Sequence, residues 1–258
     1  MKRLDICALV FGLIGLTIMI IFIALLIPEH LNLGFKLSLD KAASIGDFIG
    51  GVIGVFFSIA AFLLLYETLN IQKLEISQTN KQLQKQSFEN NLFQMINVHN
   101  EFVSEFDIRK GRISSQSKDI TNNEIITEGR DSFNFLYNNI FNKNIITSKI
   151  TDKIYIQSLF DNLLQAWADD LNHYFKHSLE IIKYIKKSTP VYITEKESEN
   201  YAALFNSGLS KSEEVFLFYY VVFKSNVEEK RYITELNFFN KLSPGSLLHT
   251  DHLKWIYE

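Results

Sequence analysis

Three residues come closest to a chemical site. Asp169, His173 and His177 stand four apart in a stretch of helical periodicity, so they share one helix face. Two imidazoles and a carboxylate at that spacing match the donors of zinc and similar divalent metals. No fourth ligand or orienting partner can be named beside them, and a solvated polar face accounts for the same residues, so no metal or cofactor is expected. His249 and His252 offer only a pair near the end of the chain. Glu228, Glu229 and Lys230 contain the Glu-x-Lys step of some nucleases, without a strand to hold it. There is no strand-glycine loop-helix pattern for phosphates and no Gly-x-Ser-x-Gly elbow. The single cysteine, Cys7, lies in an apolar run, which leaves the rest of the chain without a thiol nucleophile, a disulfide or a thiolate metal site. The sequence therefore reads as a protein that is not an enzyme. The open alternatives are a membrane-anchored nuclease or metal hydrolase using Asp169, His173 and His177, and a non-toxic tethered sensor or scaffold.

The elements that would carry any function divide sharply by composition. The chain has 258 residues, 47% of them apolar, and net charge −3. That average hides two concentrated segments. Ile6 to Ile27 has 22 uncharged residues, 19 of them apolar, and Phe48 to Tyr66 has 19, of which 15 are apolar. About 20 residues suffice to cross the hydrocarbon layer as a helix, so two spans are expected, at about 6–27 and 46–66. The first run is too long for a signal peptide and lacks a small-residue cleavage site. Lys2 and Arg3 precede one span and Lys73, Lys81 and Lys85 follow the other, whereas Lys36 and Lys41 between them are offset by Glu29 and Asp40. The positive-inside bias then places both termini in the cytoplasm of a multi-pass membrane protein.

In the second span Gly46, Gly50, Gly54 and Ser58 recur every fourth residue, with Asp47 and Gly51 beside them. Small residues on one face let helices approach closely in lipid. The stripe fits packing against the first span at Gly12 and Gly15, or self-association into a homo-oligomer. These residues are the candidate packing and permeation site.

No glycine or proline interrupts Val55 to Lys110, so one helix should leave the membrane unbroken. Leu69, Ile76 and Leu83 give one apolar position per heptad, half of what a stable coiled coil needs. The division is thus a transmembrane hairpin over 1–66, a stalk helix over 67–87 and a helical body over 88–258. Within the body, Ile113 to Thr127 reads as a loop and helical pattern resumes near Arg130 to Phe141. A long amphipathic helix is expected over about Ile154 to Lys187, ending before Pro190. Thr194 with Glu197 and Ser210 with Glu213 are capping boxes that open the next two helices. The second contains Val215 to Phe223, about 13 Å of apolar helix, too short to span and therefore core. A helix around Glu228 to Asn240 and a short tail complete an all-α fold. Basic residues are scattered, and no direct sequence-specific nucleic-acid binding is expected.

Several short patterns occur in order: Gly46-Asp47-Phe48-Ile49-Gly50-Gly51, a Gln-rich stalk, Phe88-Glu89-Asn90 with Phe93 and His99-Asn100, then Gly129-Arg130 with Phe133. Tyr174-Phe175 with Ile182 and Ile185 follows, then Leu209-Ser210 with Glu213 and Leu217-Phe218-Tyr219-Tyr220. From Gly46 onward this arrangement resembles the phage abortive infection proteins of bacteria, including two-span effectors of retron defence systems. The resemblance implies an inner-membrane toxin effector that damages the bilayer once phage infection is sensed. It also implies a reverse transcriptase with its RNA–DNA product as an inhibitory partner. The short, weakly charged stalk and the lack of an Asn-Pro step in the second span depart from some relatives, and no catalytic residues carry over.

Overall fold

In a computed structural model of the chain, residues 2–30, 39–109 and 125–257 are described. Helix α1 is Lys2–His30, α2 is Leu39–Phe48, a π-helical turn covers Ile49–Ile53, and α3 is Gly54–Glu105. Two strands, β1 (Asp107–Arg109) and β2 (Ile125–Glu128), pair antiparallel with Ile108 opposite Thr127. Helices α4 (Arg130–Phe135), α5 (Lys153–Ala166), α6 (Ala168–Lys187), α7 (Glu195–Ser207), α8 (Lys211–Lys224) and α9 (Val227–Glu235) follow. The fold is all-α, with this one small strand pair among the described residues, and it divides into compact units of residues 1–82 and 83–258.

The helical stretch Gly46–Glu105, whose apolar part falls in the first unit, is long and apolar enough to cross a membrane, and it is the one such helix among the described residues. Within α1 the apolar stretch Ile6–Ile21 is shorter. A Cβ on Gly15 would sit 3.1 Å from Phe56 Cβ and 3.5 Å from Phe57 Cε2, so α1 meets α3 there through the missing side chain. Ile53, Ala60 and Glu67, seven apart on one line of the helix, are buried. Gly15→Leu should overpack this contact, cost about 1–3 kcal/mol and lower the thermal midpoint in detergent. An unchanged midpoint would show that α1 is not seated on α3.

The helix is unbroken from Gly54 to Glu105, as expected from Val55 onward, and ahead of it the expected second span contains a π turn, in which Gly54 N–H donates to Ile49 O, five residues back. Paired Gly50 and Gly51 weaken the regular helix at that point. Beyond the stalk, Phe88, Leu92, His99, Val103 and Phe106 are buried in the second unit. Residues 113–124 of the expected loop, and 31–38 between the expected spans, lie outside the described residues. Ile125 to Thr127, read as loop, is strand, because its backbone pairs antiparallel with β1.

The second unit is centred on α8. From Val215 through Tyr219 each side chain is buried, and Phe216 lies among Phe133, Tyr137, Phe141 and Phe160 at centroid distances of 5.9–6.5 Å. Both expected capping boxes are made, and Asn226 with Glu229 forms a third at the start of α9. The helix expected over Ile154 to Lys187 is two helices, broken at Trp167 (φ −124°, ψ 33°), whose buried indole packs on Phe106. Burial of that ring outweighs continuation of the helical periodicity. The last helix stops at Glu235 rather than Asn240, where Asn237 takes φ 50° and Phe238 and Phe239 turn into the core.

The tail is anchored. His252, on a 3-10 helix over Thr250–Ile256, accepts from Tyr219 Oη at 2.8 Å through Nδ1 and donates from Nε2 to Ile150 O at 2.7 Å. Its ring stacks 3.8 Å from Trp255. The carbonyl of Ile150 can only accept, so Nε2 carries the proton. Burial pushes the imidazole pKa down to about 4, against the opposing hydrogen bond to Ile150.

Candidate functional site

In the second unit, residues far apart in sequence meet at a polar cluster in which Glu213 and His99 are buried and Arg130 reaches in from the surface. Gly129, at φ 61°, donates its N–H to Phe106 O at 2.7 Å and turns the chain out of β2 into α4. That turn places Arg130 at the start of α4. Its guanidinium donates to Gly208 O at 2.6 Å and to Asn100 Oδ1 at 3.1 Å, and stands 3.4 Å from Glu213 Oε2. Glu213 is fully buried, and the same oxygen accepts the Ser210 N–H of the capping box at 2.7 Å. Glu213 Oε1 has no hydrogen-bond partner among the described residues. One arginine therefore joins the end of α3, the start of α4, the α7–α8 turn and the first turn of α8.

Beside it, His99 is buried among Tyr174, Phe205 and His177, with ring centroids 4.7, 5.1 and 5.9 Å away. Neither ring nitrogen of His99 has a hydrogen-bond partner among the described residues. Burial, reinforced by His177 and Arg130, pushes its pKa down to about 3. The ring is neutral at pH 7 and packs as an aromatic. Burial, aided by Glu213, likewise raises the Tyr174 phenol well above its ordinary value. An apolar recess of about 270 Å³, lined by Phe93, Ile96, His99, Asn100, Leu204 and Leu209 among others, lies on one side. A more polar one of about 410 Å³, lined by Val103, Glu128, Arg130 and Asp131, lies on the other, and Asn100 borders both. About 20 Å back along α3, Lys85 pairs with Glu197, which holds that carboxyl down at about 2, and Tyr201 donates to Glu89.

The histidines singled out by spacing sit at the edge of this cluster. His173 is exposed, 6.4 Å from the Phe102 ring, whereas His177 is half-buried against His99 and Phe102. The side chain of Asp169 lies outside the described ones. Among the described residues no group of three His, Cys, Asp or Glu side chains is placed to hold a metal.

The small residues of the first unit separate into two groups. Gly50, Gly54 and Ser58 line an open groove of about 530 Å³ with Val55, Ile59 and Phe62. Gly46, Asp47 and Gly51 do not border it. A Cβ on Gly46, Gly50 or Gly51 meets nothing within 4 Å, and one on Gly54 only Ile49 O at 3.7 Å. Gly12 is equally open, so of the two glycines expected to receive α3, Gly15 alone is in contact.

In the sequence, His99, Asn100, Arg130, Tyr174 and Glu213 carry no shared spacing that marks a site. The available signal is Gly129 directly before Arg130, because the chain turns there at φ 61°.

The fold and cluster define a helical protein with one long apolar helix and an arginine-centred polar core. Residues 167–247, which include Tyr174, Gly208 and Glu213, match the model of a family described as putative phage abortive infection protein. This is the family resembled by the motifs above, and it associates the chain with abortive infection and antiviral defence. His99 and Arg130 lie outside that segment but touch it directly, at Tyr174 and Gly208, and Asn100 accepts from Arg130. No curated protein and no solved structure matches the chain.

Proposed function

We propose that the chain is a bacterial inner-membrane abortive infection effector that permeabilises or depolarises the membrane when its body is triggered. It acts as a multi-pass homo-oligomer with both termini cytoplasmic, without catalysis and without a cofactor. A reverse transcriptase with its RNA–DNA product is the proposed inhibitory partner, as the family resemblance implies. The observation that carries the effector reading is the open groove at Gly50, Gly54 and Ser58 on the helix apolar enough to span, in a chain whose body matches the abortive infection family. Small residues allow close helix contact in lipid, and rearrangement of such contacts changes bilayer integrity.

The test is inducible expression with a membrane-potential dye during phage challenge, comparing the wild type with Gly54→Leu. The leucine has room within the chain itself, so the variant should insert and accumulate normally. It should lose depolarisation and at least about tenfold of the phage protection. Protection retained without depolarisation would overturn the membrane mechanism.

A further inference from the structure

We infer that a second copy of this chain docks in parallel along the uncovered face of α3, from the Gly50 groove through Phe62 and Leu69 to Ile76. The inference rests on reading α3 as a membrane span. Ile53, Ala60 and Glu67 mark its covered side, where α1 meets Phe56 and Phe57. At about 100° per residue, Phe62, Leu69 and Ile76 project about 140–180° away from Ile53, on the opposite side. They are 67%, 47% and 60% exposed.

Lipid is a sufficient neighbour for the groove and Phe62, but not for the rest of the face. Leu69 and Ile76 lie past the end of the apolar run at Tyr66, among Asn70, Gln72, Lys73, Glu75 and Gln78. The occupant must therefore be apolar along the first part of the helix and amphipathic along the next, changing at the same depth. A second α3 inserted the same way meets that condition in parallel register. With Leu69 and Ile76 at the seam, Thr68 faces the partner's Lys73 and Glu75 faces the partner's Asn80, so no like charges oppose. From Gly50 to Ile76 the face measures about 40 Å by 12 Å, or about 1,000 Å² for the pair, the lower bound for a specific interface. One apolar residue per heptad is too few alone, and the groove adds close backbone approach.

Single cysteines at Phe62, Leu69, Ile76 and, as a control on the line of Ile53, Gln78 would be placed in a Cys7→Ser chain and oxidised in isolated membranes. Phe62→Cys, Leu69→Cys and Ile76→Cys should each give disulfide dimers several-fold above Gln78→Cys. Adding Lys at both Leu69 and Ile76 should reduce the Phe62→Cys dimer several-fold. Equal yields at all four positions, no dimers, or dimers between Phe62→Cys and Ile76→Cys copies only would overturn the inference. Carbonate extraction and the potential dye report insertion and permeabilisation separately. Dimers without depolarisation would therefore reject the effector mechanism and leave the docking face standing.

Discussion

Arg130→Met should destabilise the folded body by about 3 kcal/mol, read from urea unfolding of the full chain in detergent. Removing one partner of a buried ion pair costs about 3–5 kcal/mol, and the lower end applies because the Arg130 side chain is 46% exposed. The buried Glu213 would keep the Ser210 N–H but lose its nearby cation. Gly208 O and Asn100 Oδ1 would each lose a donor. Methionine preserves most of the stem, so the loss reports the guanidinium rather than packing. Glu213→Gln in the Arg130→Met background should recover part of the loss, because the amide keeps the shape without the charge. A loss below about 0.5 kcal/mol, or no coupling between the two positions, would mean that the arginine does not tie these elements together.

Acidification should have a comparable effect. His99 and His252 are held neutral in the fold, pushed down to about 3 and about 4, chiefly by burial. In the unfolded chain both imidazoles titrate near the ordinary 6.5, so below that pH the unfolded state binds more protons. Their stabilising contribution is therefore complete above about pH 6.5 and is lost as pH falls toward the folded values. At pH 5 each contributes a loss of about 2 kcal/mol, or about 4 kcal/mol for the pair. His99→Phe should retain stability at pH 8, since Tyr174, Phe205 and His177 already surround an aromatic ring, and should halve the acid loss. The same acid slope in that variant would show that His99 is not the titrating group.

Much of the fold was legible because its signals are local. Thr194 with Glu197 and Ser210 with Glu213 open helices in place, since a capping hydroxyl and its glutamate need only three residues of separation. The absence of glycine and proline carried the long helix to Glu105. Trp167 was missed because a helix with good periodicity on both sides gives no local sign of a break chosen by tertiary burial. The β1–β2 hairpin was missed because its two short strands are far apart in sequence and neither has a strong alternation of its own. The spacing of His173 and His177 says that they lie one turn apart on a helix, but their neighbours come from α3, through Phe102 and His99.

By itself, the sequence determined where the apolar helix lies, which segments are helical, and that small residues line one part of the long helix. Those properties follow from composition and from contacts within about four residues. Only the tertiary structure decided that His99, Asn100, Arg130, Tyr174 and Glu213 form one cluster, and that Gly15 receives α3 while Gly50 and Gly54 face an open groove. The reason is that burial and pairing depend on which helix faces meet, and a chain's local pattern says that a face is apolar without saying what covers it.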